Sequence, residues 1–260
     1  MLLLSTSSLT GYGLHRIFHF AKEAGYTGLD IALGMLNFDL WDEEYIETLC
    51  QDFSLPILSL TAPGKDMSHE KLKKIMLIAE KLHVPVVTFS PPHITDKDTS
   101  WFGEALKNYK KQSHISVCIQ NVESKFLFFV IPEYRGASFE KIKSLTWDTT
   151  LDVSAIDSAA NMDLMKAQAL LWGSMRNVFL SDKNTTQKWL LPGGTTGGLS
   201  FQPLESFLMK LKSQWYAGYI TMKVSAKELW VWNPELVLQN LKELKQYYEK
   251  HFERFHASEM

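Results

Sequence analysis

Short apolar runs alternate with amphipathic stretches along the whole 260-residue chain. LLLST at 2–6 precedes HRIFHFAKEAG at 15–25, where Ile17, Phe20, Ala21 and Ala24 recur at helical spacing and Gly25 supplies a stop. The pairing repeats as a strand at 27–33 before a helix at 42–53, then 56–63 before 69–83, and 84–92 before 101–111. Residues 84–92, VPVVTFSPP, are almost wholly apolar and rich in β-branched side chains, as a parallel strand covered on both faces requires. The second half predicts strands at 114–122, 149–154, 175–182 and 218–225, each followed by a helix, at 138–146, 159–172, 203–214 and 233–252. The order in this half is helix 138–146 between the strands at 114–122 and 149–154, and so on to the end. Asn233 and Pro234 open the last helix as N-cap and first helical residue. Eight strand–helix pairs without a low-complexity linker predict an α/β protein, a single (β/α)8 TIM barrel over 1–252 with a C-terminal tail at 253–260.

Composition narrows the partners. The chain is 45% hydrophobic and 22% charged with a formal charge of −2, so a general nucleic-acid binder, which needs a basic surface, is not expected. Cys50 and Cys118 form neither a metal motif nor a disulfide framework and read as buried free thiols in a reducing compartment. MLLLSTSS has no basic n-region and too few leucines for a signal core, and no apolar run approaches the roughly 18 residues that span a bilayer. The expectation is a cytoplasmic protein with a small-molecule ligand and no membrane partner. The sequence leaves the oligomeric state open.

Several stretches together resemble the xylose isomerase-like barrels, the superfamily of sugar phosphate isomerases/epimerases and endonuclease IV. STSSLTGYGLHRIFHFAKEAGYTGLDIAL is similar to that family's first βαβ unit, and SLTAP with IAEKLHVPVVTFSPP to its third and fourth strands. FLSDKN, LLPGGTTGGLSFQPLESFLMKL and GYITMKVS are similar to its seventh strand, glycine-rich loop and eighth strand. The resemblance covers nearly the whole chain and implies the fold, but several chemistries share that scaffold. In metal-dependent members it implies a Glu ending strand five, an Asp and a His near strand six, a His on strand seven and a Glu on strand eight. This sequence places Gln120, Asp152, Ala155, Phe179 and Lys223 there.

One carboxylate, an amide and an ammonium do not make a divalent-cation site, so no resident metal or other cofactor is expected. Glu123, His93 and Asp182 are the residues from which a displaced one could be rebuilt. Lys223 can take the place of the missing cation and pair with Asp152, with Gln120 bridging. That trio is either a structural ion pair in a vacated cavity or a catalytic group in which Lys223 polarises a carbonyl, moves a proton or forms a Schiff base.

Gly193, Gly194, Gly197 and Gly198 lie between the seventh strand and its helix, where barrels often bind phosphate, and Lys183 could add charge there. With Glu123, His93, Asp182 and Lys183 they form the expected substrate-binding set. Asp30 ends the second strand, either to bind a substrate hydroxyl or to form a rim salt bridge. Trp230 and Trp232 either line the mouth or pack on the closing helix. His15, His19, His69 and His83 lie on helical stretches and read as non-catalytic. The apolar segment 125–136 is a lid, an extra strand or a partner surface. The functions in view are an isomerase/epimerase-like enzyme without the family's metal, a non-catalytic binding protein on the same barrel, and, least favoured, an endonuclease-like repair enzyme.

Overall fold

The computed structural model describes all residues except 35–37, 97–98, 124–125, 128–129, 157–161, 185–186, 194–202 and 256–260. Eight parallel strands close on themselves: β1 Leu2–Ser5, β2 Gly28–Ala32, β3 Ile57–Thr61, β4 Val86–Phe89, β5 Ser116–Gln120, β6 Asp148–Asp152, β7 Met175–Leu180 and β8 Tyr219–Met222. Each pairs with the next in sequence, and β8 returns to β1 through Leu3↔Thr221. The connecting helices are α1 Leu14–Ala24, α2 Glu43–Phe53, α3 His69–Lys81, α4 Phe102–Gln112, α5 Phe139–Thr146, α6 Leu164–Leu171, α7 Leu204–Ser213 and α8 Pro234–Tyr248. The closed barrel agrees with the alternation read from the sequence, with strands one to five residues shorter than predicted.

Period-two alternation divides each strand between two cores. Val87 and Phe89 of β4, Val117 and Ile119 of β5, and Ile220 and Met222 of β8 face the helices and join the main apolar cluster with residues such as Phe18, Ile75 and Leu241. The alternate positions fill the barrel and are largely polar. Thr88 and Thr150 share a hydrogen bond of 2.7 Å between β4 and β6, which are not neighbours in the sheet. Asn177 of β7 reaches Ser59 of β3 at 3.2 Å and accepts from Thr221 at 2.9 Å. The ring of helices closes where Asn233 caps α8, accepting from the amides of Glu235 and Leu236. Tyr26 beyond α1 donates to the Leu241 carbonyl at 3.2 Å.

Within 125–136, Phe126–Leu127 and Ile131–Pro132 form a small antiparallel hairpin, the extra-strand reading of that segment. It docks on the loop after β4 through a bridge between His93 and Tyr134. Among the described residues no helix is long and apolar enough to cross a membrane.

Candidate functional site

The C-terminal ends of β5, β6 and β8 assemble the central group. Asp152 is the last residue of β6, and its place is set by Asn121, one residue beyond β5. The Asn121 amide donates to the Asp152 carbonyl at 2.9 Å and accepts from the Asp152 amide at 2.7 Å. A side chain thus makes the rung that the β5–β6 ladder lacks past Gln120↔Thr150. Asp152 Oδ1 accepts from the amide and hydroxyl of Ser154 in the 3-10 turn that follows, at 3.0 and 2.7 Å. Its other oxygen, Oδ2, contacts the Lys223 ammonium.

Lys223 follows β8 and keeps the strand direction. Its amide donates to the Leu180 carbonyl at 3.1 Å, and Ser8 accepts from the next amide, Val224, at 3.0 Å. The extended ladder sends the ammonium across β7 to Asp152, with Nζ 3.2 Å from Oδ2. The same Nζ sits 4.3 Å from the centre of the Phe179 ring, a cation–π contact. Side-chain exposure is 15% for Lys223 and 6% for Asp152, so the pair is largely desolvated. Three residues from the positions where the resemblance implied metal ligands therefore satisfy one another.

Gln120 does not bridge Lys223 and Asp152 as the sequence suggested. Its Nε2 donates to Ser90 Oγ beyond β4 at 2.7 Å, which turns the amide toward the neighbouring strand. Among the described residues its Oε1 is buried without a partner, as is Ser181 Oγ just past β7. An orphaned buried polar atom costs about 1–3 kcal/mol until something satisfies it, and both atoms are in that state.

Asp30 is neither a rim residue nor exposed to substrate. It is fully buried inside the barrel, accepting at 2.8 Å from Ser5 on Oδ2 and at 2.8 Å from Thr61 on Oδ1. Burial raises its pKa, opposed by the hydroxyls of Ser5, Ser59 and Thr61 and by the Lys223 charge. The Lys223 ammonium is thus also felt by a second acid below it.

The remaining expected site residues have other partners. His93 is buried in a loop clasp, with Nδ1 2.6 Å from Thr95 Oγ1 and Nε2 3.3 Å from Glu133, which also pairs with Lys65 at 3.4 Å. Glu123 pairs with Lys188 of the loop after β7 at 2.5 Å. Asp182 accepts from the Lys183 amide at 2.8 Å, and Lys183 Nζ donates to the Ile156 carbonyl. Gly193 has φ of +67°, and a Cβ there would lie 2.7 Å from the Tyr247 ring, so the close approach requires glycine. Gly194, Gly197 and Gly198 lie outside the described residues. Trp230 and Trp232 are exposed and contact each other, ring centroids 5.1 Å apart. Sequence reasoning missed Asn121, Ser154, Ser90 and Ser181; only Asn121, next to Gln120 at a strand end, carried any signal.

No family model matches the sequence, and no curated protein matches it. Solved structures match over nearly the whole chain. L-ribulose 3-epimerase superposes with a TM-score of 0.68 at 11% identity, covering 96% of this chain and 95% of that one. A family 2 AP endonuclease from Brucella melitensis gives 0.65 at 15%, covering 89% and 96%. A xylose isomerase domain-containing protein from Salmonella typhimurium gives 0.65 at 13%, covering 95% and 96%. This chain has the xylose isomerase-like barrel fold. The same fold in an epimerase and an endonuclease leaves the reaction to be argued from the site.

The donor set at this site does not fit a divalent cation. Lys223 sets a positive charge against Asp152, which would repel a cation there, and Phe179 offers only a ring. Among the described residues no three His, Cys, Asp or Glu side chains converge.

Proposed function

We propose that this barrel binds, and acts on, a small carbonyl- or sugar-like ligand at its C-terminal mouth, with the Lys223 ammonium supplying the charge a metal supplies elsewhere on the fold. The observation that carries the reading is the contact of Lys223 Nζ with Asp152 Oδ2 at 3.2 Å, at a strand-end cluster that also holds two buried polar atoms without partners among the described residues. Lys223 would stabilise negative charge developing on a ligand carbonyl oxygen, and Asp152 would accept or return the proton on the adjacent carbon. Gln120 Oε1 and Ser181 Oγ would receive ligand hydroxyls. The loop at Gly193, with Lys183 and the glycines beyond it, would hold a phosphate or another anion at the ligand's far end. His93, Glu123 and Asp182 enter as supports of the surrounding loops. The epimerases among the structural neighbours agree with such a ligand class.

A second reading, a binding protein without turnover, is favoured by one observation: Lys223 already has both Asp152 and the Phe179 face as partners. An endonuclease-like activity has less support, since the chain carries a net charge of −2 and the described residues at the mouth pair an ammonium with a carboxylate. The test is to incubate the protein with ketopentoses and ketohexoses, free and phosphorylated, in deuterated buffer containing a chelator. Deuterium entering next to the carbonyl, and lost in Lys223→Met, is the expected result. Stabilisation by a ligand without exchange would leave the binding-protein reading. A total lack of ligand stabilisation, or exchange abolished by the chelator, would overturn the proposal.

A further inference from the structure

The interior of the barrel holds an acid that the proposed chemistry leaves unused. Asp30 of β2 is fully buried, and burial of a carboxylate favours its protonated form. Its partners set it apart from Asp152. That residue is held by the Ser154 amide and the Lys223 ammonium, groups that only donate and so suit the ionised acid alone. Around Asp30 the partners are hydroxyls: Ser5 at 2.8 Å on Oδ2, Thr61 at 2.8 Å on Oδ1, and Ser59 beside them. A hydroxyl donates to a carboxylate and, once turned, accepts from a carboxylic acid. The cage therefore serves Asp30 in both protonation states and orphans no group in either.

One of these hydroxyls leads outward. Ser5 gives its single hydroxyl proton to Asp30 Oδ2, so in its 2.9 Å contact with Ser7 Oγ it accepts and Ser7 donates. Ser7 lies in the 3-10 turn Thr6–Leu9 that follows β1 at the C-terminal mouth, and it is only half-buried. The donors thus point one way, from Ser7 at the mouth to Ser5 and on to the acid. A proton arriving at Ser7 Oγ from solvent lets the Ser7 proton pass to Ser5 and the Ser5 proton to Asp30. One O–H bond forms for each that breaks, and release runs the same steps backward.

The strand register brings the charge centre alongside. Ser5 pairs with Asp30 between β1 and β2, and Leu4 pairs with Met222 between β1 and β8, which puts Lys223 beside Ser5. Burial pushes the pKa of Asp30 up, and the hydroxyls from β1 and β3 and the charge of Lys223 from β8 oppose that push.

We propose that Asp30 is a proton store of the barrel mouth, filled and emptied through Ser5 and Ser7, and that its charge is coupled to Lys223. The inference rests on the hydrogen-bonded chain and the register, not on turnover at Lys223, so a site that binds without reacting leaves it standing.

NMR of isotopically labelled aspartate carboxyl carbons in the full-length protein tests it, the Asp30 signal being the one missing from Asp30→Asn. In the wild type that signal should titrate within the pH range where the protein is folded, as a single line averaged between its two forms. Ser7→Ala cuts the chain without touching the acid. Exchange then waits on local opening of the barrel and should slow at least about tenfold, broadening or splitting the line. Ser7→Thr keeps the hydroxyl and should restore the wild-type line. Thr61→Ala removes a donor that lies off the path, so it should raise the midpoint and leave exchange fast. Lys223→Met removes the opposing positive charge and should also raise the midpoint. An Asp30 signal that does not titrate overturns the store, and wild-type exchange in Ser7→Ala overturns the path. An unchanged midpoint in Lys223→Met overturns the coupling. If Lys223→Met or Thr61→Ala does not fold, Ser7→Ala against Ser7→Thr decides alone.

Discussion

Replacing Lys223 by methionine tests the centre of the site through stability alone. The ammonium and carboxylate are 3.2 Å apart and mostly shielded from water. At an effective dielectric constant of about 20 their attraction is about 5 kcal/mol, offset by the cost of desolvating both ions. Removing one partner of a buried pair typically costs about 3–5 kcal/mol, because the other charge is left uncompensated. Two Ser154 donors still hold Asp152 Oδ1 in the variant. Methionine also keeps the aliphatic stem and a sulfur over the Phe179 ring, so the expected loss sits at the low end, about 3 kcal/mol. Asp152→Asn alone should cost about 2 kcal/mol, since a 15% exposed ammonium can turn partly to water. The double variant should lose at least about 2 kcal/mol less than the sum of the two. Urea unfolding of the four proteins measures the cycle, with a constant m-value showing that the same transition is compared. Additivity within about 0.5 kcal/mol would refute the reasoning, because uncoupled side chains cannot form the proposed charge centre.

Three further outcomes are expected. Asn121→Ala removes both hydrogen bonds to the Asp152 backbone and leaves two buried groups unsatisfied, so urea unfolding should show a loss of about 2–4 kcal/mol; a loss below about 1 kcal/mol would contradict the clip. Burial raises the pKa of Asp30 above its unfolded value, so between the two values the folded state holds a proton the unfolded state has released. Its contribution to stability therefore falls as pH rises through that window from about 4. Asp30→Asn should remove that slope, and identical wild-type and variant profiles of urea midpoint against pH would contradict it. Lys223→Glu would set a second carboxylate beside Asp152 and should create measurable zinc or manganese binding by isothermal titration; unchanged binding would argue against the site geometry.

Much of the fold was legible because it rests on local periodicity. The stretch HEKLKKIMLIAEKLH carries the α3 face, and VPVVTFSPP carries β4 between two cores. The Lys223–Asp152 pairing was also legible, through the resemblance that sets both residues at positions where metal-dependent members of the superfamily carry ligands. Asp30 was not, because its depth depends on a register shift between β2 and β3 that brings Ser59 and Thr61 around it. Gln120 was misplaced for a related reason: which neighbour an amide at a strand end turns to depends on Ser90, thirty positions away in sequence. His93 sits on the rim as expected, but a hairpin that the sequence left as one of three readings of 125–136 supplies its partner Glu133.

The most direct test of the central claim, that Lys223 rather than a divalent ion provides the positive charge at the barrel mouth, is elemental analysis of the purified protein after dialysis against trace divalent metals. The account predicts metal well below stoichiometric, unchanged in Asp152→Asn. About one ion per chain, lost in Asp152→Asn, would contradict it and return the site to metal-assisted chemistry.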